Sequence, residues 1–331
     1  MVSKKVTIAQ IAEVLGVSSI SVSRALSGSP GVSDELRGRI QNKARELGYK
    51  RGKKATRKHV LLLIRRKFEA DSSNFSLLVQ SLEHYIREFG MGFSMEFVEK
   101  SKQEENVLPA NLRKGHCFDG VILLGQFVDS YAVFIQEQVP NMVILNGTSD
   151  RVNADFVYFN FNRSGYQATQ HLLDKGHTQI GLIGVEGRFN TCQRLNGYRK
   201  ALAQAGIEFN PNHVIDAHEG LEEGVEDMIT TNELPSAFVC NSDRTAIRLV
   251  KYLHERDIAV PEQVSVIGSG NMEIASWVIP SLTTFDLNLD HACQMAAKRL
   301  LIRIEQPEAP EVTIFVNPDF VERKSVQYVL S

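Results

Sequence analysis

Apolar side chains recur at helical spacing in three short blocks over the first fifty residues. Ile8, Ile11, Ala12, Val14 and Leu15 form the first block. Thr7-Ile8-Ala9-Gln10 has the form of a capping box, in which the threonine hydroxyl accepts from an N3 amide while Gln10 reaches back. Gly16 stops that helix. Ser18 is placed to cap a second, whose inward face is Ile20 or Ser21, then Val22 and Ala25-Leu26. Gly28-Ser29-Pro30-Gly31 breaks the chain, and Ser33 caps a third helix with Leu36, Ile40, Ala44 and Leu47 on one side, ending at Gly48. From Val60 onward short apolar runs alternate with amphipathic stretches. The pattern predicts strands over 60–64, 93–99, 120–125, 142–147, 155–161, 179–184, 213–216, 237–241 and 264–268. It predicts helices over 74–89, 103–114, 128–138, 163–176, 190–205, 221–231, 243–257 and 288–305. Strands alternating with helices imply parallel sheets covered by helices, and this many strands imply two lobes. In such sheets ligands sit beyond the carboxyl ends of the strands.

Charge sharpens the division. Residues 1–59 hold 13 of the chain's 37 Lys and Arg but only 4 of its 39 Asp and Glu, a net of +9, so 24 basic and 35 acidic residues remain for 60–331, a net of −11. A small basic module fused to a large acidic unit fits a polyanion binder joined to something with another task. At 331 residues, 43% hydrophobic and 23% charged, the chain reads as an ordinary globular protein of two or three domains. Its apolar runs are too short to span a bilayer, and no apolar segment follows the first lysines as a signal peptide would require, so a cytoplasmic location without membrane contact is expected. Cys117, Cys192, Cys240 and Cys293 are scattered without a C-x-x-C; buried free thiols are the expectation, and neither a metal site nor a cofactor is.

Three short helices with a tight turn between the first two describe a helix-turn-helix, whose second helix enters the major groove. Ser19, Ile20, Ser23 and Arg24 point outward from it. Arg24 suits bidentate contact with guanine O6 and N7, or a phosphate, and the hydroxyls of Ser18, Ser21 and Ser27 suit bases or phosphates. Thr7 belongs to the same surface. Six of the ten residues in 50–59 are Lys or Arg; among them Lys53 and Lys54 are assigned to phosphate contacts that any sequence would receive.

The residues carry a resemblance to the lactose/galactose-repressor family of bacterial transcription regulators. Thr7-Ile8-Ala9-Gln10-Ile11-Ala12, Gly16-Val17-Ser18, Val22-Ser23-Arg24-Ala25-Leu26, Val32-Ser33 and Leu47-Gly48-Tyr49 look like its DNA-binding signature. Asp119-Gly120-Val121-Ile122, His171-Leu172-Leu173 with Gly176-His177, Asn196-Gly197-Tyr198 and Val264-Ser265-Val266-Ile267-Gly268 look like blocks of its larger domain. The resemblance implies an α/β fold class: a three-helix helix-turn-helix module over 1–49, a basic linker over 50–59, and a two-lobed Rossmann-like domain of the periplasmic-binding-protein type over 60–331, with lobe crossovers near 161, 287 and 313. It implies a homodimer on a pseudo-palindromic double-stranded DNA operator, Ser19 and Ile20 as main specificity readers, and a small-molecule effector, a carbohydrate or derivative, between the lobes.

The sequence also departs from the family. Relatives carry Pro-Asn after the tyrosine and then a hinge helix whose leucine wedges into the minor groove. Here Arg51-Gly52 stands instead, and no leucine occurs between Tyr49 and Leu61. Relatives commonly have an aspartate pair after the Val-Ile-Gly strand; here the stretch is Ser269-Gly270-Asn271.

A sugar-like ligand needs aromatic faces and convergent polar groups. Phe75, Asn146, Phe161, Arg194, Asn241, Ser242 and Asn271 are the candidates. Each has an ordinary structural alternative: Phe75 in a core, Asn146-Gly147 as a turn, Asn241 or Ser242 as a helix cap. By resemblance Arg194 stands where the family's effector-contacting arginine does. An enzymatic reading has less support: Gly181, Gly184 and Gly187 have G-x-x-G-x-x-G spacing rather than that of a dinucleotide loop, and no G-x-S-x-G, P-loop or HExxH occurs. The rival from another class is an enzyme or a plain binding protein with an accessory DNA module.

Overall fold

In a computed structural model the described residues are 8–19, 21, 22, 25, 32–47, 58–66, 74–184, 189–217 and 220–329. The chain divides into two compact units, Met1–Arg57 and Lys58–Ser331.

In the first unit, helices α1 (Ile8–Leu15) and α2 (Asp34–Glu46) flank helical positions at 19, 21, 22 and 25. Ile11, Ala12, Val22, Ala25, Ile40 and Ala44 form its buried core, closed by Leu15, Val17, Val32, Leu36 and Leu47. Gly16 turns the chain at φ +64°, a conformation that favours glycine. The Ser18 and Ser33 hydroxyls each accept from the amide three residues on, at 3.0 and 3.4 Å, the capping geometry that Ser favours. The Arg37 guanidinium donates to the Ala25 carbonyl at 3.3 Å. Val14, assigned by spacing to the inward face, is 55% exposed; α1 is only eight residues long, and a stripe that narrow buries Ile11 and Ala12, with Leu15 partly covered, without it.

The second unit has two parallel sheets. The first lobe contains β1 (His59–Arg65), β2 (Gly92–Val98), β3 (Gly120–Leu124), β4 (Met142–Leu145), β5 (Asp155–Phe159) and a late strand, Thr313–Val316, in the order late strand, β5, β4, β3, β1, β2. The apolar runs read from the sequence are buried on both faces, as helix-covered parallel strands require: Val60–Ile64 and Val121–Leu124 have no exposed surface. Helix α3 (Phe75–Glu88) packs Leu78, Leu82 and Ile86 into this core together with the C-terminal helix Leu289–Glu305. The second lobe orders β7 (Val214–Asp216), β6 (Ile180–Gly184), β8 (Ala237–Cys240) and β9 (Ser265–Ile267).

The differences from the sequence reading have local causes. The helix expected over 103–114 is two short helices, α4 (Lys100–Glu104) and α5 (Ala110–Arg113). Pro109 between them has no N–H to donate and disfavours helix in the residue before it. Thr284–Asp286, Thr313–Val316 and Asp319–Val321 are strands that the reading left unassigned. The chain passes between lobes at 160–161 and 287–288. The third passage follows Val316 rather than lying near 313, because Thr313–Val316 still pairs with β5. The Asn160 and Asn288 amides both donate to Asn317, to its side-chain and backbone oxygens, and so tie the three crossings together. Cys240 and Cys293 are buried free thiols, but Cys117 and Cys192 are exposed, against expectation. His177 is buried between the Ser236 hydroxyl and the Gln327 carbonyl, so it is structural.

Candidate functional site

The carboxyl ends of the two sheets face a cavity of about 640 Å³. On the first-lobe side Arg65 ends β1, Asn74 precedes α3, and Lys100 and Gln103 belong to α4. Gln126 follows β3, and Asn146 and Thr148 follow β4. On the second-lobe side Asn190 and Cys192 lie in helix α8 (Phe189–Gln204), Asn241 and Ser242 link β8 to helix α10 (Asp243–His254), and Ser269 and Gly270 follow β9. Phe159, Phe161 and Phe189 give it aromatic surface. The size and mixed lining suit a ligand of a few hundred daltons.

Of the seven residues assigned to effector binding from sequence, Asn146, Phe161, Asn241 and Ser242 line the cavity. Asn146 adopts φ +57° at the end of its strand, so it makes the turn and faces the cavity together. Ser242 caps α10, accepting from the Thr245 amide at 3.2 Å, while still lining the wall. The Asn241 Oδ1 atom is buried with no hydrogen-bond partner among the described residues, an arrangement that asks for a donor.

Arg194 lies one layer back. It is 3% exposed, its guanidinium sits 4.8 Å from the centroid of the Phe161 ring, and it donates to the Ser269 hydroxyl at 3.3 Å. Burial lowers its pKa to about 10, so it keeps its charge at neutral pH. It therefore supports Phe161 and Ser269, which form the wall.

Phe75 and Asn271 are not brought to the cavity. The Phe75 ring packs 5.9 Å from Phe97 against the first-lobe core, where an aromatic at the head of an amphipathic helix gains more by burial. The Asn271 amide donates to Asp286 at 3.0 Å and accepts from Arg323 at 2.7 Å, which fixes the loop after β9 and turns the side chain away. The neighbouring Asp243 carboxylate accepts from the Met272 amide and from the Thr284 hydroxyl, and burial raises its pKa. It is a brace for the wall rather than part of it.

Sequence reasoning missed Arg65, Asn74, Lys100, Gln126, Asn190 and Ser269. For Arg65, Lys100, Gln126 and Ser269 the available signal was a position at or just past the end of a strand; Asn74 and Asn190 stand instead at the start of the helix that follows one. Asn74 also bridges the lobes, donating to the Gly270 carbonyl at 2.8 Å.

In the N-terminal unit Ser18 and Ser19 are exposed and Ser21 is half-buried. The Ser18 and Ser21 hydroxyls are 2.9 Å apart, so both are engaged at the helix start. The other residues assigned to DNA contact, Thr7, Ile20, Ser23, Arg24, Ser27, Lys53 and Lys54, lie outside the described residues, as does the linker as far as residue 57; His59, assigned to the linker, opens β1.

Comparison with known proteins agrees with both units. Residues 7–52 match the model of bacterial regulatory proteins of the lacI family, and residues 169–326 match a periplasmic binding protein-like domain. The chain is 26% identical over 333 residues to the ribose operon repressor of Haemophilus influenzae, covering 97% of this chain and 98% of that protein. It is 29% identical over 310 residues to the regulator AscG of Escherichia coli, covering 90% and 92%. Among solved structures, a lac repressor dimer bound to operator and the anti-inducer ONPF superposes with a TM-score of 0.72 at 22% identity, covering 98% of this chain and all of that one. The regulator CelR in complex with cellobiose gives 0.71 at 24%, covering 97% and 100%. A LacI-family regulator of Enterococcus faecium with bound ribose gives 0.69 at 23%, covering 82% and 100%. The chain thus carries a lacI-type DNA-binding module over 7–52 and a periplasmic-binding-protein-like domain over 169–326, and the relatives it resembles along nearly their whole length are transcriptional repressors and regulators.

Proposed function

We propose that the protein is a sequence-specific DNA-binding repressor whose operator affinity is set by a small molecule held between the two lobes. The carrying observation is one chain with a lacI-type module over 7–52 and a polar, aromatic-walled cavity of about 640 Å³ between two parallel sheets. The CelR and Enterococcus faecium structures hold cellobiose and ribose, which supports a carbohydrate or derivative as effector. Binding between two hinged lobes favours one arrangement only by the ligand's differential affinity for it. The protein works as a homodimer, because one such module offers few base contacts and two on a pseudo-palindrome double them. A DNA regulator of this kind acts in the cytoplasm and performs no catalysis; among the described residues no helix is long and apolar enough to cross a membrane.

The test is sedimentation and footprinting of the full chain with operator DNA selected from a random pool. A dimer protecting two half-sites, released or strengthened by a metabolite in a panel of sugars and derivatives, is expected. A monomer at micromolar concentration bound to a single half-site would refute the reading.

A further inference from the structure

The side chains around the cavity are unequal in charge. Arg65 and Lys100 line it, Arg194 stands directly behind Phe161 and Ser269, and no Asp or Glu is among its described lining residues. Arg65 ends β1 and pairs in register with Val98, the last residue of β2; Lys100 follows two residues later at the start of α4. The two cations therefore share one corner, at the adjoining carboxyl ends of two neighbouring strands. Lys100 has a salt bridge to Glu104 at 3.2 Å, but both side chains are more than half exposed, and a solvated pair of this kind exchanges readily for a better-placed anion.

Helix N-termini add to the field. Helix α6 (Asp129–Gln138), α8, α10 and the helix Leu289–Glu305 open beside Val128, Phe189, Ser242 and Leu289 of the lining, each with a partial positive charge. Any cleft between such sheets has these dipoles. The cationic side chains, with no carboxylate among the described lining residues, distinguish this one. A neutral polyol presents many hydroxyl donors and is held well by carboxylate acceptors; this wall offers instead amides, hydroxyls and two cations. The unpartnered Asn241 Oδ1, on the opposite lobe, is left to accept from a ligand hydroxyl.

Resting on the effector reading of this cleft, we propose that its ligand is a polyhydroxylated anion, a sugar acid or sugar phosphate, whose negative group sits against Arg65 and Lys100 while its hydroxyls reach Asn241. Charge-assisted hydrogen bonds are about twice as strong as neutral ones, so the anion should bind at least about tenfold more tightly than its neutral parent.

The experiment uses the full chain, wild type and R65Q/K100Q, with the ligand-free melting temperature and circular dichroism of the variant confirming that it folds. The first probe is inorganic phosphate against chloride at equal ionic strength. Phosphate should raise the wild-type melting temperature more than that of the variant, beyond the rise that its exclusion from the protein surface gives both. An equal rise in the two proteins, with neither glucuronate nor glucose 6-phosphate bound more weakly by R65Q/K100Q, overturns the proposal. The second set is glucose, glucuronate and glucose 6-phosphate. Binding of glucuronate or of glucose 6-phosphate, weakened tenfold or more by R65Q/K100Q, supports the proposal and tells carboxylate from phosphate. Glucose bound as tightly as either anion, weakened by N241A but not by R65Q/K100Q, would overturn the charge assignment while leaving the effector cleft in place.

Discussion

Asp155, at the first position of β5, has no exposed surface and accepts from Arg299 and Arg303, each at 2.9 Å, and from the Val312 amide at 2.8 Å. Burial alone would raise its pKa; Arg303, Arg299 and the amide outweigh that and hold it below the usual carboxylate range. A buried pair of this kind is a weak source of net stability, but removing one partner strands the other charges. Asp155→Asn should therefore cost about 3–5 kcal/mol in urea unfolding. A depressed carboxylate pKa stabilises above the unfolded value, so this contribution is present at neutral pH and is lost as pH falls through the unfolded-state pKa toward the lower folded one. Wild type should lose stability over that acid window, and the variant should lose correspondingly less; equal acid slopes would contradict the assignment. None of this was legible in the sequence, since Asp155 and Arg303 lie 148 positions apart and no spacing rule joins them. The same holds within a single loop. Within Ser269-Gly270-Asn271 the sequence pointed to Asn271, but the residues on the cavity are Ser269 and Gly270, because Asp286 and Arg323 claim Asn271.

Elements were more legible than their contacts. Long amphipathic stretches and fully apolar strands emerged close to where periodicity placed them, because burial on one helical face or on both strand faces leaves a repeating mark. The short strands Thr284–Asp286 and Asp319–Val321 escape this reading. Close helix crossings are also silent until seen. Helix α7 (Phe161–Asp174) and α8 meet at two glycines: a Cβ on Gly197 would lie 2.0 Å from the Asn162 carbonyl oxygen, and one on Gly165 would lie 2.2 Å from that of Arg194. Both obstacles are backbone, so neither can swing aside. The Asn196-Gly197-Tyr198 block of the sequence thus has a physical reason: only a residue without a side chain lets these helices touch. Gly197→Ala should destabilise the protein by about 1–3 kcal/mol, the usual range for overpacking. Because α8 carries Asn190, Cys192 and Arg194, the forced separation should also weaken effector binding while DNA binding by the N-terminal unit persists. A thermal melt and an effector titration on the same sample read both; a variant with wild-type values in each would show that the helices part without cost.

At the scale of the molecule, the charge division that set residues 1–59 apart from the rest has its counterpart in two compact units, and the basic unit is the one that matches a DNA-binding family. On the proposed reading the acidic unit signals by movement between its lobes, and the bond from Asn74 to the Gly270 carbonyl marks one arrangement of them. It joins a first-lobe residue ahead of α3 to the second-lobe loop after β9, so it exists only while the lobes are in contact. Its net contribution is about 0.5–1.5 kcal/mol, as for a typical hydrogen bond. Asn74→Ala should therefore shift the lobe equilibrium away from contact by roughly two- to tenfold. The consequence is two-sided. In ligand-free protein the radius of gyration by small-angle scattering should rise, and effector affinity should fall by the factor by which the fraction of molecules with the lobes in contact falls, since the ligand must restore that contact. A lost direct contact between Asn74 and the ligand would lower affinity without changing the ligand-free radius. An unchanged radius with reduced affinity would therefore reassign Asn74 from lobe coupling to ligand binding.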